Sequence, residues 1–405
     1  MGIRELLLTT ALLGCNDAGG LLPAPSSDEG IQLAFKVTVQ PGEENTICKN
    51  FAMPDGAFDI GRFEAAMTPV SHHLLVYNIS LPSDQVTDEL IDHCDENRDL
   101  QTSRVGILFG TQSDHSELQL PNGIAYPARG GLAVQLEYHV LNASDQPVDA
   151  EAALNLWRAK GDITGEAGML FFYHTQIAIA PQSHGSARMR PTIASDLELM
   201  MLVPHMHSRG VAMEATHERV DGSREPLFSV DGWENPNQMF APAVHIAAND
   251  IIDFRCDYEN TTAEYIFDGF SARHDEMCVT GGVYYRPGGD RLPLTQEIAF
   301  GKGIVYTGTN SCTQIESCVA AIDFANTTLD PGHQFDLCVV AGCQTGATAF
   351  TSYDSCRWNQ CRASCYLNPT SNGVDGFLFA DPACVTCLDT NCAGVRDACS
   401  AATCQ

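Results

Sequence analysis

Twelve of the seventeen cysteines fall after residue 300, spaced three to seven residues apart in runs such as "CRWNQCRASC" and "CVTCLDTNCAGVRDACSAATC". So short a segment, with few large apolar side chains, cannot close a stable core by burial alone and needs covalent support. The expectation for 305–405 is therefore a small disulfide-rich module of short, Ala-rich helices. A zinc site on Cys384-x-x-Cys387 with Cys392 competes with this, but the region holds one histidine, His333, and an even number of cysteines. Leaving Cys15 aside, sixteen cysteines remain, and that parity favours disulfides in an oxidising compartment.

The chain begins "MGIRELLLTTALLGCNDAGG", with Arg4 before a short apolar run that ends in Leu12-Leu13-Gly14-Cys15. The run is too short to span a bilayer and reads as an export signal. It resembles a bacterial lipobox, which implies a signal over 1–15, a lipid anchor on Cys15, and a periplasmic or cell-surface lipoprotein, otherwise a secreted protein. Residues 16–30, rich in Gly, Pro, Ser and Asp, have the composition of a flexible tether. No later segment approaches the eighteen or so apolar residues of a membrane-spanning helix. The net charge of −29, from 51 acidic and 22 basic residues, argues against a nucleic-acid partner, whose affinity comes from Lys and Arg.

From 31 to 300 the chain is a series of short strand-like runs between turn signals, among them "IQLAFKVTV", "HHLLVYNISL", "GLAVQLEYHVL", "MLFFYHTQIAIA" and "LELMMLVPHMH". Few stretches carry a helical period, so the reading is all-β, as sandwiches. A region this long should divide once, and Arg158–Gly168, "RAKGDITGEAG", is the place expected. That sets one domain at 31–157 and another at 158–300.

The chemistry rests on a few of the thirteen histidines. His205 and His207 in "VPHMHSRG" are two residues apart, so on a strand their rings share a face. His72 and His73 are adjacent, so on a straight strand they face opposite ways and could share a metal only if the backbone bends. His139, in "LEYH", is one histidine in a strand-like run. Met277, in "DEMC", has a thioether that suits Cu(I), and imidazole accepts both copper oxidation states. His93, His115, His184, His217 and His333 read as surface residues, and His174 and His245 as core or edge residues. His274 is left out of the site.

The order "HHLLVYN", "LEYH", "PHMHSRG", "DEMC" resembles the copper type II, ascorbate-dependent monooxygenases, a family that includes peptidylglycine α-hydroxylating and dopamine β-monooxygenases. The resemblance covers about 31–290 and implies two jelly-roll-like β-sandwich domains with one copper ion each. It assigns His72, His73 and His139 to an electron-transfer copper, and His205, His207 and Met277 to an oxygen-binding copper, the catalytic centre. Ascorbate or another one-electron reductant and O2 would be co-substrates in hydroxylating a C–H bond of a small organic or peptide substrate. The resemblance also implies disulfides Cys256–Cys278 and Cys48–Cys94. Glu137 and Asp275 are candidates for orienting ligands.

Peptidylglycine hydroxylases carry an Arg before the His-x-His pair, and an Asn and a Tyr after the methionine, to grip a peptide carboxylate. This chain has Val203, Val279 and Gly281 there. A peptidylglycine substrate is therefore not expected. Two other classes compete with an enzyme: a surface protein that binds or stores copper without turnover, and an adhesion or docking protein whose working part is the Cys-rich module.

Overall fold

The computed structural model describes residues 20–56, 58–95, 103–128, 131–286, 297–326, 328–370 and 374–404. The expected signal and Cys15 lie outside the described residues. Part of the expected tether is not free: Leu21 N–H donates to Glu151, and Leu22 packs with Ala66 and Ala153.

The first sandwich uses β1 (Gly30–Val39), β2 (Glu44–Ala52), β3 (Phe58–Met67), β4 (Ser71–Pro82), β5 (Leu90–Ile91), β6 (Arg104–Thr111), β7 (His115–Gln119), β8 (Ile124–Ala128), β9 (Leu132–Leu141) and β10 (Val148–Arg158). One sheet runs β5-β2-β9-β4-β6, and the other begins β1-β10-β3-β8, with β7 also on β3. Period-two alternation decides which side chains enter the core. On β4, Leu74 and Val76 are buried between the sheets with Phe63, Phe109 and Leu136, while Leu75 and Tyr77 point out of the opposite face. Each large apolar side chain buried this way contributes about 1.5–3 kcal/mol. The Cys48–Cys94 disulfide ties β2 to the segment after β5.

The second sandwich uses β11 (Gly165–Tyr173), β12 (Ala178–Ile179), β13 (Ser183–Met189), β14 (Leu197–His205), β15 (Gly210–Glu218), β16 (Arg224–Asp231), β17 (Gln238–Ile246), β18 (Ile251–Asn260), β19 (Ile266–Phe267), β20 (Val279–Tyr285) and β21 (Glu297–Phe300). Its sheets are β13-β18-β15-β16 and β11-β20-β14-β17, with β21 parallel to β11. Cys256–Cys278 joins β18 to the start of β20. The two sandwiches share a sheet: β8 pairs in parallel with β11, Ile124 opposite Gly165 and Ala125 opposite Glu166.

The rest is mainly helical: α1 (Cys312–Ala320), α2 (Pro331–Val340), α3 (Gln344–Cys365), α4 (Pro382–Asn391) and α5 (Ala393–Ala401), with a two-residue ribbon, Tyr366–Leu367 against Gly376–Phe377. Ser311 starts α1 with a capping box, and Asp330 and Asp381 cap α2 and α4, each with Pro next. All twelve cysteines here pair, as 312–399, 318–338, 343–404, 356–392, 361–387 and 365–384. Cys384, Cys387 and Cys392, the alternative zinc ligands, are thus committed to disulfides. The module docks on the second sandwich, where His333 stacks on Phe267 with ring centroids 4.1 Å apart. Eight disulfides among the described residues belong to an oxidising, extracytoplasmic compartment. Among the described residues no helix is long and apolar enough to cross a membrane.

Candidate metal centre

His139 lies on β9 directly opposite His73 on β4. The register of this pair slips between Ser71 and His73, a β-bulge at His72. A bulge places an extra residue on one strand and re-aims its side chain. Two adjacent histidines thereby reach one place: the ring centroids are 5.0 Å apart for His72–His73, 5.2 Å for His72–His139 and 5.0 Å for His73–His139.

His205 ends β14 opposite Val279 of β20, and His207 follows in the turn. Their centroids are 5.4 Å apart. The resemblance implied separate sets on separate domains, but here they meet. His205 lies 4.9 Å from His72 and 5.2 Å from His73, and His207 lies 5.2 Å from His72. Ligand atoms of His72, His73 and His205 all fall within 4.8 Å of one another. Met277 lines the same cavity as His205 and His207.

Five imidazoles this close cannot all carry protons. Burial, then the neighbouring rings of His205 and His73, drives the His72 pKa well below the usual histidine value. Burial and the His73 and His207 rings do the same for His205, and burial with His139 and His73 lowers His207 to about 3. These rings are neutral at physiological pH, the state a metal ligand requires. Burial alone would raise Glu44 and Glu137, but His139 with Ser271, and His73 with Arg104, hold each carboxyl at about 2.

The supporting contacts come from both sandwiches. His139 Nε2 meets Glu44 at 3.1 Å, and His73 Nε2 is 3.7 Å from Glu137, which is paired with Arg104 at 2.5 Å. Gln112 Oε1 lies 2.7 Å from His205 Nδ1, and the same amide donates to the Pro204 carbonyl. Glu44 reaches across to accept from the Ser271 hydroxyl at 2.9 Å and Ala272 N–H at 2.6 Å. The expected orienting role suits Glu137, whereas Asp275 meets His207 Nδ1 through its backbone carbonyl at 3.3 Å. Glu276 accepts from the His207 and Arg209 backbone N–H groups and so shapes the turn. Sequence reasoning missed Glu44, Gln112 and this role of Glu276, because each acts on a histidine remote in the chain. It also misjudged His217, which is buried 2.7 Å from Asp250 rather than at the surface. His274 is exposed.

Three buried ring nitrogens, His72 Nε2, His73 Nδ1 and His207 Nε2, have no hydrogen-bond partner among the described residues. Orphaned polar atoms in a buried cluster are costly unless something binds them. A soft or borderline transition metal fits this imidazole-rich donor set with a thioether nearby.

Residues 167–301 match the family model of the copper type II ascorbate-dependent monooxygenase C-terminal domain. The chain carries a domain of this family. The match spans the second sandwich, with His205, His207 and Met277 inside it, and supports an oxidoreductase-type domain there. No curated protein matches the chain. Among solved structures, the major capsid protein P2 from bacteriophage PM2 aligns with 62% of this chain and 97% of its own, at 10% identity and TM-score 0.27. Recombinant N-glycanase F aligns with 65% and 97%, at 10% identity and TM-score 0.22. Neither alignment is close enough to carry an argument.

Proposed function

We propose that the chain is a dicopper monooxygenase that hydroxylates a substrate C–H bond with O2 and a one-electron reductant such as ascorbate. The observation that carries this is the convergence of five histidines, three with an unpartnered ring nitrogen, beside Met277. His72, His73 and His139 would hold the electron-transfer copper, and His205, His207 and Met277 the oxygen-binding copper. Bound copper supplies one-electron redox chemistry toward O2. In the net reaction one oxygen atom enters the C–H bond to give an alcohol. The other leaves as water, using two protons and two electrons from the reductant.

The protein's own part is placement. Gln112, Glu44 and Glu137 turn the His205, His139 and His73 rings, and a fixed ring direction tunes a metal as much as the ligand does. Burial keeps the His72, His73, His205 and His207 rings unprotonated and ready to bind. The domain limits follow from this reading, 31–157 and 158–300 each supplying one ligand set and 305–405 serving as an accessory. Anchoring through a lipid on Cys15 is part of the same proposal, and a Cys15→Ala protein should leave the membrane fraction.

The grouping of His72, His73 and His205 favours a second reading, a single copper shared between the sandwiches. Copper stoichiometry separates the two. The dicopper reading expects two equivalents, ascorbate-driven O2 uptake, and a copper–sulfur distance in reduced protein that disappears in Met277→Ala. One equivalent in the wild type would replace it with the shared site, and no copper uptake would sink both.

A further inference from the structure

The histidine cluster opens on a cavity of about 420 Å³ between the two sandwiches. Its second-sandwich wall is built from two cross-strand rows. One row runs Ile298, Phe171, Gly281, Val203, and the next runs Phe300, Tyr173, Val279, His205. Residues two apart on each strand share a face, so both rows look into the cavity. Phe300 packs against Phe171 and Tyr173 with centroids 5.7 and 5.9 Å apart. This wall therefore runs from His205 to a cluster of aromatic rings without a charged side chain among the described residues.

The mouth has the same character. Phe270, Phe300, Ile298 and Val105 line the cavity, yet are among the most exposed large apolar side chains of the described residues, at 54%, 54%, 42% and 43%. Exposed apolar side chains gathered around one opening mark a ligand site, whereas scattered ones need no explanation. The charged lining groups, Asp95, Arg104 and Glu137, sit on the first-sandwich wall. Arg104 is already held by Glu137, by the Gln135 side chain at 2.9 Å, and over the Tyr77 ring at 3.9 Å. Among the described lining side chains, a substrate carboxylate would meet no uncommitted cationic side chain, and an ammonium on the aromatic wall would meet no carboxylate. Burying either charge without a partner is costly.

We propose that the cavity takes an uncharged, apolar substrate, an aromatic or branched hydrocarbon skeleton that lies along the β11, β20 and β21 wall with a C–H bond toward His205. This assignment rests on the monooxygenase reading for its chemistry and on the cavity walls for its substrate class. The net reaction is the one given above, with oxygen and the reductant unchanged.

Gly281 provides the test. A Cβ added there would meet nothing closer than Val203 Cβ at 3.8 Å and Phe171 at 3.9 Å, so a side chain can start from this position without a backbone clash, on the row that faces the cavity. Binding is measured calorimetrically on the full chain, kept anaerobic and without reductant, with copper content read on the same sample. The probes share one skeleton: 3-phenylpropanol, 3-phenylpropanoate and 3-phenylpropylammonium. The expected result is at least tenfold tighter binding of the alcohol than of either ion. Gly281→Leu should weaken that binding at least tenfold with unchanged copper content and melting temperature, and Phe300→Ala should weaken it as well. Equal or tighter binding of an ion, no binding of the alcohol, or an unaffected Gly281→Leu protein would overturn the substrate class. Because no turnover is measured, such a failure beside normal copper uptake leaves the monooxygenase reading intact. Loss of copper uptake with the alcohol preference retained removes the copper chemistry and leaves the cavity's selectivity standing.

Discussion

At the scale of single residues, the site depends on side chains that ligate nothing themselves. Gln112 fixes His205 from the opposite sandwich through a 2.7 Å contact. Gln112→Ala should lower copper affinity about 10- to 100-fold, the usual cost of losing a partner that orients a ligand. A competition titration against a chromophoric chelator measures this, and unchanged affinity would show that packing alone aims His205. His174, buried directly after β11, gives a second residue-level prediction. Burial lowers its pKa to about 4, so between about 6.5 and 4 the unfolded chain binds a proton that the folded one refuses. Stability must then fall as pH drops through that window. His174→Asn keeps an acceptor for the Gln176 N–H and cannot titrate, so it should lose less stability than wild type between pH 7 and pH 5. Denaturant midpoints at the two pH values decide it.

At the scale of elements, β4 and α3 each solve a geometric problem. The bulge at His72 lets two adjacent residues serve one site, which a regular pleat forbids. In α3, Cys361 and Cys365 are four residues apart and so share a side of the helix, while Cys356 lies five residues before Cys361, where the helix kinks. They meet Cys392, Cys387 and Cys384 in reverse order, stapling α3 antiparallel to α4. Replacing Cys361 and Cys387 together by Ser should cost about 2–4 kcal/mol, as for other disulfides. The loss should appear in the unfolding of 305–405 and leave copper content unchanged, because the copper ligands lie in the sandwiches. Calorimetry with metal analysis would show whether the two are independent.

At the scale of the whole molecule, the contact between module and second sandwich carries its own pH response. Asp268 faces it from the sandwich, hydrogen-bonded to the Tyr173 hydroxyl at 2.9 Å, and Asp336 faces it from α2. Burial raises the Asp268 pKa to about 8, with the charges of Asp336 and Asp275 adding to it. Burial followed by Asp330 raises Asp336 to about 7. The folded protein holds protons there that an unfolded chain releases, so stability falls as pH rises from the ordinary carboxyl range through about 8. Hydrogen exchange in α2 and β19 should therefore speed up between pH 6 and pH 9 beyond its intrinsic pH dependence. Asp268→Asn should reduce the change. An identical profile in the variant would remove Asp268 from the contact.

Residue patterns by themselves determined the kinds of element and the candidate ligands. Period-two runs specify strands because each side chain's face follows from local backbone geometry, and dense cysteines with Ala-rich spacing specify a stapled helical module for a similarly local reason. Motif order singled out His72, His73, His139, His205, His207 and Met277 without a contact being known. Tertiary structure alone decided how these residues meet. Gln112 and His205 are 93 positions apart, and Glu44 and Ser271 are 227 apart. Such pairings arise from strand register and from packing one sandwich on another, which no local period records. The twelve module cysteines likewise acquired partners only through helix packing. The apolar wall beside His205 exists because β11, β20, β14 and β21 align their alternate residues across four strands, a property of the sheet that none of those strands carries alone.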